Sequence, residues 1–173
     1  MKLTWFGSRC FRIHAGGQIA VVEADAAPAG IDRTELLGGA DHAVNFGDPP
    51  PADAQTWRAR PAQRLLDAGT TARPMEIWSV GPEALLIDAD GEAPLLLATG
   101  ELPELGKWAG NAVIVLCGVD LAQRGQVLLE VYSPRLLVLA GSDAAIEAAF
   151  EALRDRLDGT GLVALEAGLA IEA

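Results

Sequence analysis

Apolar residues recur at every second position through the opening of the chain: Leu3 and Trp5, then Phe11 and Ile13, then Ile19 and Val21. Gly7-Ser8 and Gly16-Gly17 interrupt the alternation. The pattern predicts three short strands joined by two tight turns within residues 1–23. Residues 25–39 mix Ala, Pro, Gly and charge, and predict a loop with a short helix at 34–37 stopped by Gly38-Gly39. Residues 42–46 read as a short buried strand, which the prolines at 49, 50 and 51 end because they lack an N–H for a ladder.

Residues 52–68 are rich in Ala, Gln, Arg and Leu, and predict one helix broken at Pro61. The middle then turns to strands at 75–80, 85–88 and 95–98, with a hairpin turn at 88–92 tipped by Asp90-Gly91. Thr99-Gly100-Glu101 leads into a helical stretch ending near Trp108. Residues 113–116 form an uninterrupted apolar run, as a strand buried on both faces does. Helix and strand alternate afterwards: a helix at 119–131, a buried strand at 136–140, and an amphipathic helix to Leu157 capped by Ser142 or Asp143. Its Ile146, Ala149, Phe150 and Leu153 share one stripe. Residues 162–165 and 169–171 are expected to pair around Ala167-Gly168. No internal repeat or low-complexity tail is visible.

Composition narrows the class. A chain of 173 residues, half of them apolar, suffices for one domain spanning 1–173 with a mainly aliphatic core. Its 24 acidic residues outweigh 13 Lys and Arg, so the formal charge of −11 disfavours a phosphate backbone as partner, and no nucleic-acid role is expected. Arg58, Arg60, Arg64 and Arg73 cluster only loosely and read as a solvated helix face. No apolar run is long enough to span a bilayer, and no secretory signal is visible, so no membrane role is expected. Cys10 and Cys117 lie far apart in sequence and read as small buried hydrophobes in a reducing, cytoplasmic setting.

Several motifs carry a resemblance. The turn Gly7-Ser8-Arg9-Cys10-Phe11 follows the first strand, and Ala40-Asp41-His42-Ala43-Val44 leads into the next loop. The hairpin 83–99 ends in Thr99-Gly100-Glu101, residues 136–141 form a strand ending in Gly141, and residues 165–172 close the chain with a Glu-x-Gly-x-x-apolar pattern. Together these resemble the metallo-β-lactamase superfamily, in particular its small UlaG-like hydrolases. The resemblance implies an α/β (α+β) fold: a four-layer αββα sandwich of two mixed sheets flanked by helices, shortened in the middle.

The same resemblance implies a zinc centre, and the sequence departs from it at each ligand. A hydrolytic zinc needs three or more converging His or Asp donors and an open position for water. Ser8 stands where that family usually has His. The metal-binding loop reads Val44-Asn45-Phe46-Gly47-Asp48-Pro49, with no His. Glu101 replaces the bridging Asp, and Gly141 falls at the last His position. The vestigial positions are therefore Ser8, Asn45, Phe46, Gly47, Asp48, Glu101 and Gly141. Only His14 and His42 remain in the chain, and both read as strand-end residues. Ser142 lies in no Gly-x-Ser-x-Gly elbow and reads as a cap.

The leading expectation is a non-catalytic protein of this fold. It would bind or build a complex, with a protein partner or a second copy, and without metal or other cofactor. Phe46, Trp5 and Trp108 are expected either to fill the old cavity or to offer an apolar contact surface, and Trp57 is a candidate interface residue. Two alternatives stay open. One is a metal-dependent hydrolase rebuilt on His42, Asp48 and Glu101, acting on a small phosphorylated or lactone-like substrate. The other is a small-ligand binding domain that reuses the old pocket near Ser8, Asn45 and Glu101.

Overall fold

A computed structural model describes residues 1–61 and 73–173. Strands β1 (Lys2–Gly7), β2 (Cys10–Ala15) and β3 (Gln18–Val22) form an antiparallel meander, and β4 (His42–Val44) adds parallel to β3. Between β3 and β4 lies α1 (Arg33–Leu37), whose first turn is capped by the Asp32 carboxylate accepting from the Thr34 N–H at 2.7 Å. The second sheet contains β5 (Glu76–Gly81), β6 (Ala84–Asp88), β7 (Leu95–Ala98), β8 (Val113–Cys117), β9 (Leu136–Ala140) and β10 (Gly161–Ala164). Helix α2 (Leu121–Val131) connects β8 to β9, α3 (Asp143–Leu153) connects β9 to β10, and β11 (Ala170–Glu172) pairs antiparallel with β1. The sheet orders are β11-β1-β2-β3-β4 and β10-β9-β8-β7-β6-β5. Both sheets are mixed: β7 to β10 run parallel, while β5, β6 and β7 are antiparallel.

The period-two pattern explains how the sheets meet. Leu3, Trp5, Phe11, Ile13, Ala20 and Val22 point from the first sheet into a core shared with Leu85, Ile87, Leu97, Val115 and Val138 of the second. Alternate residues of the second sheet, including Leu86, Leu96, Ile114, Leu116, Leu137 and Leu139, pack outward against α2 and α3. The strands β6 to β8 are thus buried on both faces, which is why they read as unbroken apolar runs. Each such side chain contributes roughly 1.5–3 kcal/mol by leaving water. The architecture is α+β, a sandwich of two mixed sheets. Its helical cover is uneven: among the described residues, Leu36 of α1 joins Cys10 and Val21 in a small buried cluster outside the first sheet, with Leu37, Phe6, Ala24, Ala27 and Ala40 partly buried beside it.

Four expectations are corrected. The strand at 42–46 is three residues long and lies at a sheet edge, with Ala43 exposed, because β4 has a neighbour on one side only. The terminal strands do not pair with each other: β10 extends the second sheet and β11 the first, so residues 165–169 cross between sheets, with the Gly168 N–H donating to the Trp5 carbonyl at 2.7 Å. The helical turn after β7 begins at Lys107, just before Trp108, and is a 3-10 turn over Lys107–Asn111. Residues 52–61 are not a helix: 54–56 make a single turn in which the Trp57 N–H donates to Asp53 O at 2.9 Å, and tertiary contacts fix the segment. The Ala52 N–H donates to Ser79 O at 2.9 Å, and Ala54 O accepts from the Gly106 N–H at 3.0 Å and Trp108 Nε1 at 2.6 Å. The remainder of that expected helix, 62–68, lies outside the described residues. Among the described residues no helix is long and apolar enough to cross a membrane.

Candidate functional site

The parallel strands β7, β8 and β9 end side by side, and their carboxyl ends lead into Thr99-Gly100-Glu101, Gly118-Val119-Asp120 and Gly141-Ser142. Outside such strand ends the backbone diverges and leaves room for a site. The β1–β2 turn of the facing sheet closes over this edge. The Ser8 carbonyl accepts from Cys117 Sγ at 3.1 Å and from Trp5 Nε1 at 3.0 Å, which ties the turn to the end of β8.

Arg9 occupies the middle of the edge. Its guanidinium lies 3.5 Å from Glu23 Oε1 and 3.7 Å from Glu83 Oε1. It also stacks 4.7 Å from the Phe46 ring centroid, a cation–π arrangement. The Phe46 N–H donates to Glu23 Oε1 at 3.0 Å, so Glu23 holds both partners. Ser8, Glu23 and Asp120 border this edge with φ of 50°, 53° and 55°, three of the four non-glycine positive-φ residues among those described. Such conformations cost of order 1 kcal/mol or more and persist where surrounding contacts over-determine them. Glu83 in turn lies so close against the Gly100 backbone that a Cβ there would collide with its carboxylate.

Beside Arg9 runs an open groove of about 680 Å³, bordered by Glu83, Glu101, Leu102, Val119, Asp120 and Arg124. Arg124 does not offer its charge to the groove. Its guanidinium donates to Cys117 O at 2.8 Å and Ala98 O at 3.1 Å, capping the ends of β8 and β7. Burial lowers its pKa, opposed by the nearby Cys117, Glu83 and Asp120.

The expected site residues divide into two groups. Ser8, Phe46, Glu101 and Gly141 lie along this edge. Gly141 is required by packing, since a Cβ would fall 2.9 Å from Leu121 Cδ1 and 3.0 Å from Gly118 O. Asn45, Gly47 and Asp48 form their own exposed turn, in which Asn45 Nδ2 donates to Asp48 Oδ2 at 2.9 Å and Gly47 takes φ 85°. His42 lies elsewhere on the first sheet, its Nε2 3.2 Å from Gln18 Oε1. His42, Asp48 and Glu101 therefore form no ligand set. Among the described residues no three His, Cys, Asp or Glu side chains converge to hold a metal. The donors present do not fit the zinc centre implied by the resemblance.

Two aromatic expectations change. Trp5 packs in the core between the sheets, whereas Trp108 lies on the far side of the second sheet. Trp57 is partly buried there, edge-on to Trp108 at 5.3 Å and to Trp78 at 5.8 Å. These contacts occupy its rings. Both thiols are buried, and burial pushes Cys10 and Cys117 up to about 11, far from thiolate chemistry at neutral pH.

Arg9, Glu23, Glu83 and Arg124 escaped the sequence reading. Only Arg9 had a signal, a charge inside an otherwise small and apolar turn. The chain matches no protein-family model, no curated protein and no solved structure.

Proposed function

We propose that this chain is a non-catalytic protein of metallo-β-lactamase-like fold that works as a binding or structural subunit. The observation that carries the reading is Arg9. A guanidinium between Glu23 and Glu83, stacked on Phe46, fills the edge where the resemblance implies a cationic metal, and it leaves those carboxylates already paired. A positive side chain there also opposes a second cation electrostatically. The two-sheet architecture and the placement of Ser8, Phe46, Glu101 and Gly141 along one edge support the ancestry. The groove beside Arg9 favours a second reading, a small-ligand pocket without metal, because its size falls within the range of ordinary ligand sites.

The test is hydrolysis of phosphodiester, phosphomonoester and lactone panels, with and without added Zn²⁺ or Mn²⁺. The expected result is no turnover above buffer in either condition. Metal-stimulated turnover that disappears in Glu101→Ala would overturn the proposal in favour of a rebuilt hydrolase.

A further inference from the structure

Neither guanidinium near the groove beside Arg9 is free to meet a ligand. Arg124 donates to Cys117 O at 2.8 Å and to Ala98 O at 3.1 Å. Arg9 faces Glu23 Oε1 at 3.5 Å and Glu83 Oε1 at 3.7 Å, and stacks on Phe46. The acids of the groove are placed differently. Glu101 and Asp120 are exposed on its border, and neither has an ion-pair partner among the described residues. Asp120 precedes α2, yet its side chain accepts no capping hydrogen bond from the helix. Glu83 adds a third carboxylate, shared with Arg9. A phosphate or carboxylate entering the groove therefore meets three like charges and no unengaged cation.

The rest of the lining is partly apolar. Val119 is 73% exposed and Val127 57% exposed, and both border the groove together with Leu102. Acids and apolar side chains thus line one hollow of about 680 Å³, a size that suits a small organic molecule. Beyond Glu83, Glu101 and Leu102, which line both, a second hollow of about 370 Å³ continues between Pro82 and Pro103. A bare cation gains little beside solvated carboxylates, and a bare hydrocarbon leaves them unused. A molecule that joins a positive group to an apolar body uses both parts of the lining.

We propose that this groove binds a small organic ammonium with an apolar tail, its charge beside Glu101 and Asp120 and its tail along Leu102, Val119 and Val127. The inference rests on the reading of the groove as a metal-free ligand pocket, and it names the class of ligand. That class is opposite in charge to the phosphorylated substrates that the resemblance implies.

The experiment is titration of the full chain with hexylammonium chloride, followed by calorimetry and by methyl NMR shifts. Hexanoate and hexanol serve as the anionic and neutral counterparts with similar tails. Hexylammonium should bind saturably with a Kd of about a millimolar, as a ligand of so few atoms allows. The shifted methyls should include Leu102, Val119 and Val127, and added salt should weaken binding. Glu101→Gln/Asp120→Asn should weaken it about tenfold with an unchanged circular dichroism spectrum, since both residues are exposed. Hexanol or hexanoate shifting the same methyls with equal affinity keeps the pocket but overturns the proposal. Hexylammonium binding that survives the double variant overturns it as well. No saturable binding of any of the three overturns the proposal and the pocket reading together.

Discussion

The Arg9 guanidinium lies 4.7 Å from the centroid of the Phe46 ring, although the two residues belong to turns separated by three strands and a helix. Glu23 makes the arrangement rigid, because one of its carboxylate oxygens faces Arg9 at 3.5 Å and also accepts from the Phe46 N–H at 3.0 Å. A cation over a ring face gains from the ring quadrupole, and the partial cover of Arg9 strengthens its ion pairs relative to open water. The result is a filled edge with no free donor set at its centre.

Arg9→Ala removes the stacking and both ion pairs. Arg9 is more than one-third exposed, so solvent screening reduces the effect, and the expected loss is about 1 kcal/mol in urea unfolding. Arg9→Lys should lose less, since it keeps the charge but not the planar stack. Unchanged stability in Arg9→Ala would mean the contacts contribute nothing to the folded state.

Arg60 clamps the segment that follows the 54–56 turn to the second sheet. Its Nε donates to Asp88 Oδ2 at 2.6 Å, its Nη2 donates to Asp88 O at 2.9 Å, and Asp88 is buried. Arg60→Ala leaves that carboxylate buried and unpaired, so the expected loss is about 3 kcal/mol. Arg60→Met/Asp88→Leu should recover most of it, measured in the same unfolding experiment. Equal losses in the single and double variants would show that the charge pair is not the cause.

Both cysteines should be silent to a thiol reagent in the native state at pH 8. Their pKa values of about 11 follow chiefly from burial, and Cys117 also donates to Ser8 O. Two equivalents should appear on adding denaturant. One rapidly titrated thiol in the native protein would contradict this burial.

His14 should make stability depend on pH. Burial, then Arg12 and then Lys2, lower its pKa below the ordinary 6.5. Arg12 Nε donates to His14 Nε2 at 3.2 Å, a bond that only a neutral ring can accept. The unfolded chain therefore binds the proton more readily than the folded one. Stability is retained above about pH 6.5 and falls as pH drops from there through the lowered folded value. His14→Gln should remove this part of the pH slope, and an identical slope in the variant would contradict the assignment. Arg12 also donates to Leu36 O and Gly38 O at the end of α1.

The opening meander was legible because Leu3, Trp5, Phe11 and Ile13 alternate cleanly and glycine pairs mark the turns. The run 113–117 was legible because a strand buried on both faces leaves no position for a polar residue. The separation of β10 from β11 was not, since Ala167-Gly168 between two apolar runs looks locally like a hairpin and alternation does not say which sheet a strand joins. Residues 52–61 have helical composition, but Trp57 packing on Trp78 and Trp108 outweighs a propensity of a few tenths of a kcal/mol per residue. Of the edge, Ser8, Phe46, Glu101 and Gly141 were legible through the resemblance, and the ion pairs at its centre were not. The residues that fill it, Arg9, Glu23, Phe46 and Glu83, come from four separate turns and strand ends, with no spacing to betray their contact.

In the proposed metal-free reading, the Arg9 guanidinium fills the edge where the resemblance implies a metal. The most direct test of that reading is elemental mass spectrometry on protein purified without chelators, for wild type and Glu101→Ala. Less than about a tenth of an equivalent of Zn, Fe or Mn is expected in both, because tightly held metal survives purification. Near one equivalent in the wild type, lost in Glu101→Ala, would contradict it.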